Sequence, residues 1–367
     1  MLANPGRLTL ALLLINAGSL TIFAQQATVQ GVVTDSSGAA VPAARISARN
    51  VSTGVASNVE TNREGFYSIP FLVPGPYEVT ANATGFSPQT RTRLQLDVNM
   101  TARVDFSLAP GAVSETIEVS ASAALLNTET STVGQVIDNR RIVELPLNGR
   151  NYLELAQLTT GVVPGRGSRS GDKGNFSALG ARTYQTNILL DGVDNNTRAS
   201  GGQLGFEAQN VTPSVDAVQE FKVITNNNSA EYGFRMGATV IVQTKSGSND
   251  FHGSAYEFFR NDKLDATNFF ANRAGAEKPI FKRNQFGATA GGRVIRDRTF
   301  FFGSFEGTRL RRGESSTSTV PTAARRAGNF TDAEVLPIFD PATTRTEHAP
   351  YATFSPVTSF PRTVSIL

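Results

Sequence analysis

The chain has 367 residues and a formal net charge of +3, with 34 Lys and Arg against 31 Asp and Glu, and it contains neither Cys nor Trp. The basic residues are scattered, which leaves no footprint for nucleic acid, and the lack of Cys excludes disulfides and thiolate sites. Hydrophobic residues make up 40% and charged residues 18%, with 33 Gly and 24 Phe, a balance that suits a turn-rich β protein of two or three domains without a membrane-spanning helix, since no run nears ~18 apolar residues.

Residues 1–24 read as an export signal. Arg7 supplies the positive start, residues 8–15 (LTLALLLI) an apolar stretch too short to cross a bilayer, and Ile22-Phe23-Ala24 a small-residue cleavage site. Cleavage near Ala24 would start the mature, exported chain near Gln25, and an uncleaved anchor is the alternative.

Residues 27–110 alternate short apolar runs with turn signals. The runs 29–34, 45–49, 55–61, 66–69, 77–81, 91–96 and 103–108 predict seven strands. Gly and Pro in the intervening Asp35–Gly38, Arg63–Gly65, Val73–Pro76 and Thr84–Gly85 stretches supply the turns. Short strands at this spacing predict a small β-sandwich. Phe66, Tyr67, Tyr77 and Phe86 are either its core or a stacking surface for a sugar ring. Neither His of the chain (His252 and His348) lies in this segment, so it lacks the ligands of a zinc peptidase.

Residues 113–122 hold a short extended run, Glu115, Thr116, Ile117, Glu118 and Val119, flanked by Ser and Ala. Such a run suits either a plain linker or a strand that pairs with a partner through its backbone. Residues 127–247 mix short strands and helices. Strands are predicted at 132–137, 185–190, 218–225 and 240–244, and helices at 139–145 and 150–158. In the second helix Tyr152, Leu155, Ala156 and Thr159 share a face, and Thr160-Gly161 ends it. Residues 165–174 (GRGSRSGDKG) form a basic, flexible loop. Leu190, Asp191, Gly192 and Asn195 lie in NILLDGVDNN, where Asp191-Gly192 makes a turn. Gly192 comes too early for Asp191, Asp194, Asn195 and Asn196 to match a calcium loop. Arg140, Arg141, Arg150 and Arg182 suit an anion or, inside a polar lumen, wall carboxylates.

From 251 to 310 the pattern changes. Strands at 252–259, 284–294 and 299–309 are separated by a long polar loop and by the tight turn Arg296-Asp297-Arg298. In the second, Phe286, Ala288, Ala290 and Val294 share one face, and Gln285, Thr289 and Arg293 the other. That is the apolar-out, polar-in alternation of a membrane barrel, and the aromatics of 252–259 suit its interfacial girdle. Residues 311–367 are polar and Pro-containing, like an external loop.

The join GATVIVQTKSGSNDFHGSAYEFFR (237–260), with NILLDGVDNN upstream and VPTAARRAGNF (320–330) downstream, resembles the TonB-dependent outer-membrane receptors. The likeness is greatest to the Oar-like group, whose N-terminal domain is carboxypeptidase-regulatory-like. Gly31 to Asp35, Gly65 to Ile69, Pro74 to Tyr77 and Gly85-Phe86 carry that part of the resemblance. It implies a mainly β protein: a seven-stranded β-sandwich, an α+β plug, and the first strands of an incomplete transmembrane β-barrel. It further implies that Glu115–Val119 contacts the TonB energy-transducing complex, and that Leu190, Asp191, Gly192 and Asn195 form a plug signature. The expected place is the outer membrane, with the N-terminal domains periplasmic. Outer-membrane lipid is then a partner and carbohydrate a candidate one; nucleic acid, metal, cofactor and catalysis are not expected. Three strands fall far short of the ~22 of a plugged transporter, so a truncated transporter, unable to transport a scarce substrate alone, is expected. A secreted or surface-associated carbohydrate-binding or adhesion protein is the alternative.

Overall fold

The computed structural model describes residues 27–111, 117–120, 131–147, 149–165, 176–196, 209–232, 235–267, 269–273, 275, 277–313 and 323–326. The export signal, Glu115 and Thr116, the 166–174 part of the basic loop and residues 327–367 lie outside them.

The sandwich starts with β1 (Ala27–Asp35), whose alternate residues Ala27, Val29 and Val33 are buried. After it come β2 (Arg45–Asn50), β3 (Ala56–Glu60), β4 (Phe66–Leu72), β5 (Gly75–Asn82), β6 (Gln89–Leu96), β7 (Thr101–Arg103), β8 (Phe106–Leu108) and β9 (Ile117–Ser120). One sheet joins β4, β1 and β7, with β8 also on β1; the other runs β3-β2-β5-β6-β9. Their inner faces meet in a single core of Val29, Ile46, Tyr67, Ile69, Val79, Leu94, Leu96, Phe106 and neighbours, as two packed sheets require.

The expected strand 103–108 is two strands. Both pair parallel with β1, at Thr28–Gln30 and Val33–Asp35. Between them the Asp105 carboxylate takes the Val32 N–H at 2.9 Å, replacing a ladder bond. The count therefore rises to eight over 27–110, and β9 adds a further edge strand.

The plug contains β10 (Val133–Asp138), β11 (Val162–Pro164), β12 (Phe176–Ala178), β13 (Asn187–Leu190), β14 (Val193–Asp194), β15 (Val218–Asn226) and β16 (Thr239–Thr244). Five of them form a sheet in the order β10-β15-β16-β13-β14, and β11 pairs with β12. An α-helix spans Asn139–Glu144, capped by Asp138. The expected helix at 150–158 is a 3-10 helix over Tyr152–Leu158, capped by the Asn151 side chain. Tyr152, Leu155, Ala156 and Thr159 are all buried, as the shared face required.

The two faces of the plug sheet differ. Phe221, Val223, Val240 and Val242 enter the main plug core with Ile142 and Tyr152. Ile224 and Ile241 point to the opposite face, in a small cluster with Tyr232 and Val98. The strand period of two produces this division.

A three-stranded sheet, β17 (His252–Asn261), β18 (Phe281–Ile295) and β19 (Thr299–Arg312), follows in sequence order. Gln285 and Thr289 are buried and Ala288, Ala290 and Val294 exposed, as the alternation predicts, whereas Arg293, expected on the inner face, is exposed. Phe286 and Phe305 meet at 6.3 Å, and Phe251 and Phe301 at 6.4 Å.

By contacts the chain divides into two units, 1–259 with 283–309, and 260–282 with 310–367. Within the second, Arg260 pairs with Asp265 at 3.1 Å and lies 4.8 Å from the Phe281 ring. Lys278 donates to the Asp262 and Asp265 carbonyls, and Gly313 N–H to Ile280. Short helices occupy Phe269–Arg273 and Ala323–Arg326.

Candidate functional site

Ile117, Glu118 and Val119 belong to β9, which pairs parallel with β6 from Gln89↔Ile117 to Thr92↔Ser120. Among the described residues β9 is the last strand of its sheet. One edge is therefore satisfied by the sandwich and the other is the sheet's terminal edge, the geometry on which a further strand can add.

The NILLDGVDNN run is a hairpin tied to the end of β16. Asp191 and Gly192 both take positive φ, 48° and 83°, between β13 and β14, the backbone of a tight two-residue turn. Leu190, half-buried, pairs with Val242 on β16 and Val193 on β14. The Asp191 carboxylate accepts from Thr244 N–H and Thr244 Oγ1, both at 2.8 Å, and from Gln243 Nε2 at 3.0 Å. Asn195 is buried and exchanges two hydrogen bonds with the Val211 backbone. Asn196 accepts from Ile188 N–H and donates to Asn187. These amides and carboxylates are thus spent on protein donors and acceptors, and among the described residues no group of three His, Asp or Glu is placed to hold a metal ion.

From Thr244 the chain turns into the barrel sheet through Gly247. A Cβ there would lie 2.3 Å from the Phe301 carbonyl oxygen and 2.6 Å from that of Gly292, so only glycine lets the backbone pass this close.

Arg150 joins the plug to that sheet. Its side chain is 7% exposed, pairs with Asp216 of the plug, and lies 3.8 Å from Glu306 on β19. Two rings of β17 cover the guanidinium, Tyr256 at 4.5 Å and Phe258 at 4.0 Å from centroid to Cζ. The Tyr256 hydroxyl donates to Glu306 at 2.7 Å. These two aromatics, expected in an interfacial girdle, are turned toward the plug arginine instead, because a buried cation gains from a ring face. Arg150 thus finds a wall carboxylate. Arg140 and Arg141 do not: they pair locally with Glu144 and Asp138 on the exposed side of their helix.

Glu220 and Lys222 on β15 escaped the sequence reading. Both are buried. Glu220 accepts the Val98 N–H, and Lys222 Nζ donates to the Asn99 carbonyl at 2.9 Å. Burial, with Asp97 and Asp138 nearby, pushes Glu220 up to about 8, and burial lowers Lys222. Their alternation with Phe221 and Val223 has the form of a strand with one covered and one solvated face, so the burial of Glu220 and Lys222 on the second face is not legible from the pattern.

Of the aromatics weighed as a sugar platform, Tyr67 and Tyr77 are core residues, and Tyr67 donates to the Val104 carbonyl at 2.6 Å. Phe86 packs partly against the same core. Phe66 is exposed, so the four divide between core and surface.

Three family descriptions match in order along the chain. They are the carboxypeptidase regulatory-like domain over residues 28–109, the TonB-dependent receptor plug domain over 126–240, and the outer membrane beta barrel domain over 243–364. The TonB-dependent transporter Oar of Myxococcus xanthus is 29% identical over 298 residues, 77% of this chain and 27% of its own length. Among solved structures, the siderophore receptor PirA of Acinetobacter baumannii is 24% identical with a TM-score of 0.36, covering 49% of this chain and 24% of its own. The ferric enterobactin receptor PfeA of Pseudomonas aeruginosa is 19% identical with a TM-score of 0.38, covering 57% and 29%. The chain therefore spans about a quarter of the length of these relatives.

Proposed function

We propose that this chain, which belongs to the Oar-like TonB-dependent receptors, serves in energy-coupled uptake across the outer membrane in which that family resides. The sandwich and plug face the periplasm, and β17–β19 begin the transmembrane wall. The observation that carries this reading is the junction of plug and wall. A plug strand passes through Gly247 into β17, and the buried Arg150 is held by residues of β17 and β19. A plug must be retained against the wall at rest and released on demand, and a small charged cluster suits both.

Glu115–Val119 is the segment proposed to meet TonB. Its strand β9 lies at a sheet edge, so pairing would use main-chain hydrogen bonds and need no particular side chain. Transport itself belongs to a closed barrel, because open strand edges leave unpaired backbone groups that cost several kcal/mol each in hydrocarbon.

The test combines fractionation with a single substitution. The chain should co-fractionate with outer membranes. In a complete receptor carrying this N-terminal region, Ile117→Pro should remove a backbone donor and reduce TonB crosslinking and uptake together. Release of the chain into the medium, or crosslinking unaffected by the proline, would overturn the assignment.

A further inference from the structure

The turn that follows β6 is seated on the plug. Asp97, Val98 and Asn99 leave the sandwich between β6 and β7, and Val98 is fully buried. Its neighbours in the apolar cluster are Ile224, Ile241 and Tyr232, with Leu189 against them, all residues of the plug. Beside this knob, Val98 N–H donates to Glu220 and the Asn99 carbonyl accepts from Lys222. Asn99 has φ of 51°, the left-handed conformation that a tight turn uses. The seat is thus an apolar residue in a pocket flanked by hydrogen bonds to two buried ionisable side chains, on the face of β15 and β16 that the plug core does not use.

The same strand β6 carries β9 along its free side, in register from Gln89↔Ile117 to Thr92↔Ser120. β6 is thus joined to β9 by its ladder and leads at its C-terminal end, through Asp97, into the seat.

We propose that the sandwich is a clamp on the plug, in which a pull applied to β9 travels along β6 to the Asp97–Asn99 turn and bears on β15 before it bears on the rest of the plug. The clamp itself is a matter of packing; its use in uptake rests on the proposal that 115–119 meets TonB. Pulling on β9 would lift Val98 out of its cluster and break both bonds to β15, freeing one face of the plug sheet while Arg150 still holds the plug to the wall.

The experiment is single-molecule pulling on the full chain in detergent micelles, with handles on Ser120→Cys and Ser246→Cys, the only thiols in a protein that has none. Val98→Asp puts a carboxylate into the apolar cluster beside Glu220; Glu220→Ala removes the acceptor of Val98 N–H. Both should lower the force of the first rupture and leave later ruptures of the plug unchanged. Amide exchange supplies the second readout. Residues 97–100 should exchange at least ~10-fold faster in either variant, the equivalent of ~1.4 kcal/mol, while β2 and β5 keep their protection. An unchanged first rupture, or loss of protection throughout the sandwich, would overturn the clamp. TonB takes no part in these measurements, so a failure of TonB to bind 115–119 would leave their outcome readable.

Discussion

Arg150→Met is the sharpest test of how the plug is held. The substitution keeps a long apolar stem and removes the charge. Arg150 already has φ of 55°, and methionine carries the same backbone cost, so that strain cancels in the comparison. What changes is electrostatic. Asp216 is buried and loses its direct partner. Removing one partner of a buried pair costs about 3–5 kcal/mol, because the other charge remains without compensation. The two ring contacts add about 0.5–2 kcal/mol in a desolvated setting. Lys245 also acts on Asp216 and replaces part of the lost attraction, which puts the expected loss near the lower limit, about 3 kcal/mol.

The assay is amide exchange of the 3-10 helix Tyr152–Leu158 and of β17 in the full chain. A loss of about 3 kcal/mol appears as roughly a hundredfold drop in protection. Arg150→Met with Asp216→Asn should recover part of it, since the double variant removes both members of the buried pair while Glu306 and Lys245 remain, and a coupling of about 1–3 kcal/mol is expected between residues in contact. A drop smaller than tenfold, or a double variant no better than the single, would refute the view that charge pairing with Asp216 holds this corner.

Three further outcomes are expected. Asp191→Ala removes the acceptor for Thr244 N–H, Thr244 Oγ1 and Gln243 Nε2; leaving these donors unmet should cost about 1–3 kcal/mol, read as faster exchange at the end of β16, whereas Asp191→Asn should recover part of it. Gly247→Ala places a methyl group 2.3 Å from the Phe301 carbonyl oxygen and should loosen the plug-to-barrel junction by about 1–3 kcal/mol, seen as protease cleavage near residue 247 that the unaltered chain resists. The Val98 seat should weaken with alkali. Glu220 has a folded pKa of about 8 against an ordinary 4.5, so its contribution is full below about pH 4.5 and is lost as pH rises through 8. Burial is the main cause; Asp97 and Asp138 push Glu220 the same way and the Val98 N–H and Lys222 oppose them, while Arg140, Arg141 and Glu144 line the same groove. The slope at residues 97–100 should be on the order of 1 kcal/mol per pH unit between pH 5 and 8, and Glu220→Gln should flatten it.

The local chemistry of turns carried most of the fold. Gly and Pro at 74–76 and 85 marked the sandwich strands, and Asp191-Gly192 marked its hairpin, because positive φ and fixed φ are decided residue by residue. The tertiary substitutions were invisible for the opposite reason. Asp105 splits the last sandwich strand by bonding to Val32, 73 positions away in sequence. The helix expected at 150–158 shortens to a 3-10 turn because Arg150 is drawn off into its cage at positive φ. Tyr256 and Phe258 have the composition of a girdle, and only the placement of Arg150 shows that they face inward. Glu220 and Lys222 were visible as polar residues alternating with Phe221 and Val223, yet their partners lie more than 120 residues upstream, a distance that no periodicity spans.

The Val98 seat and the Arg150 corner thus hold the plug by different chemistry, and their strengths set an order of release. At the sandwich, one buried valine contributes about 1.5–3 kcal/mol, and the hydrogen bonds to Glu220 and from Lys222 add about 0.5–3 kcal/mol each before the burial of those two groups is set against them. That burial is costly, as the shifts of both groups away from their charged forms show, so the net hold is small. At the wall, Arg150 is almost fully buried, paired, and covered by two rings. A load entering at β9 meets the weaker hold first. The sandwich should leave the plug sheet while the Arg150 corner is still closed, and the plug should yield only when the load then reaches residues 131–158 along the chain.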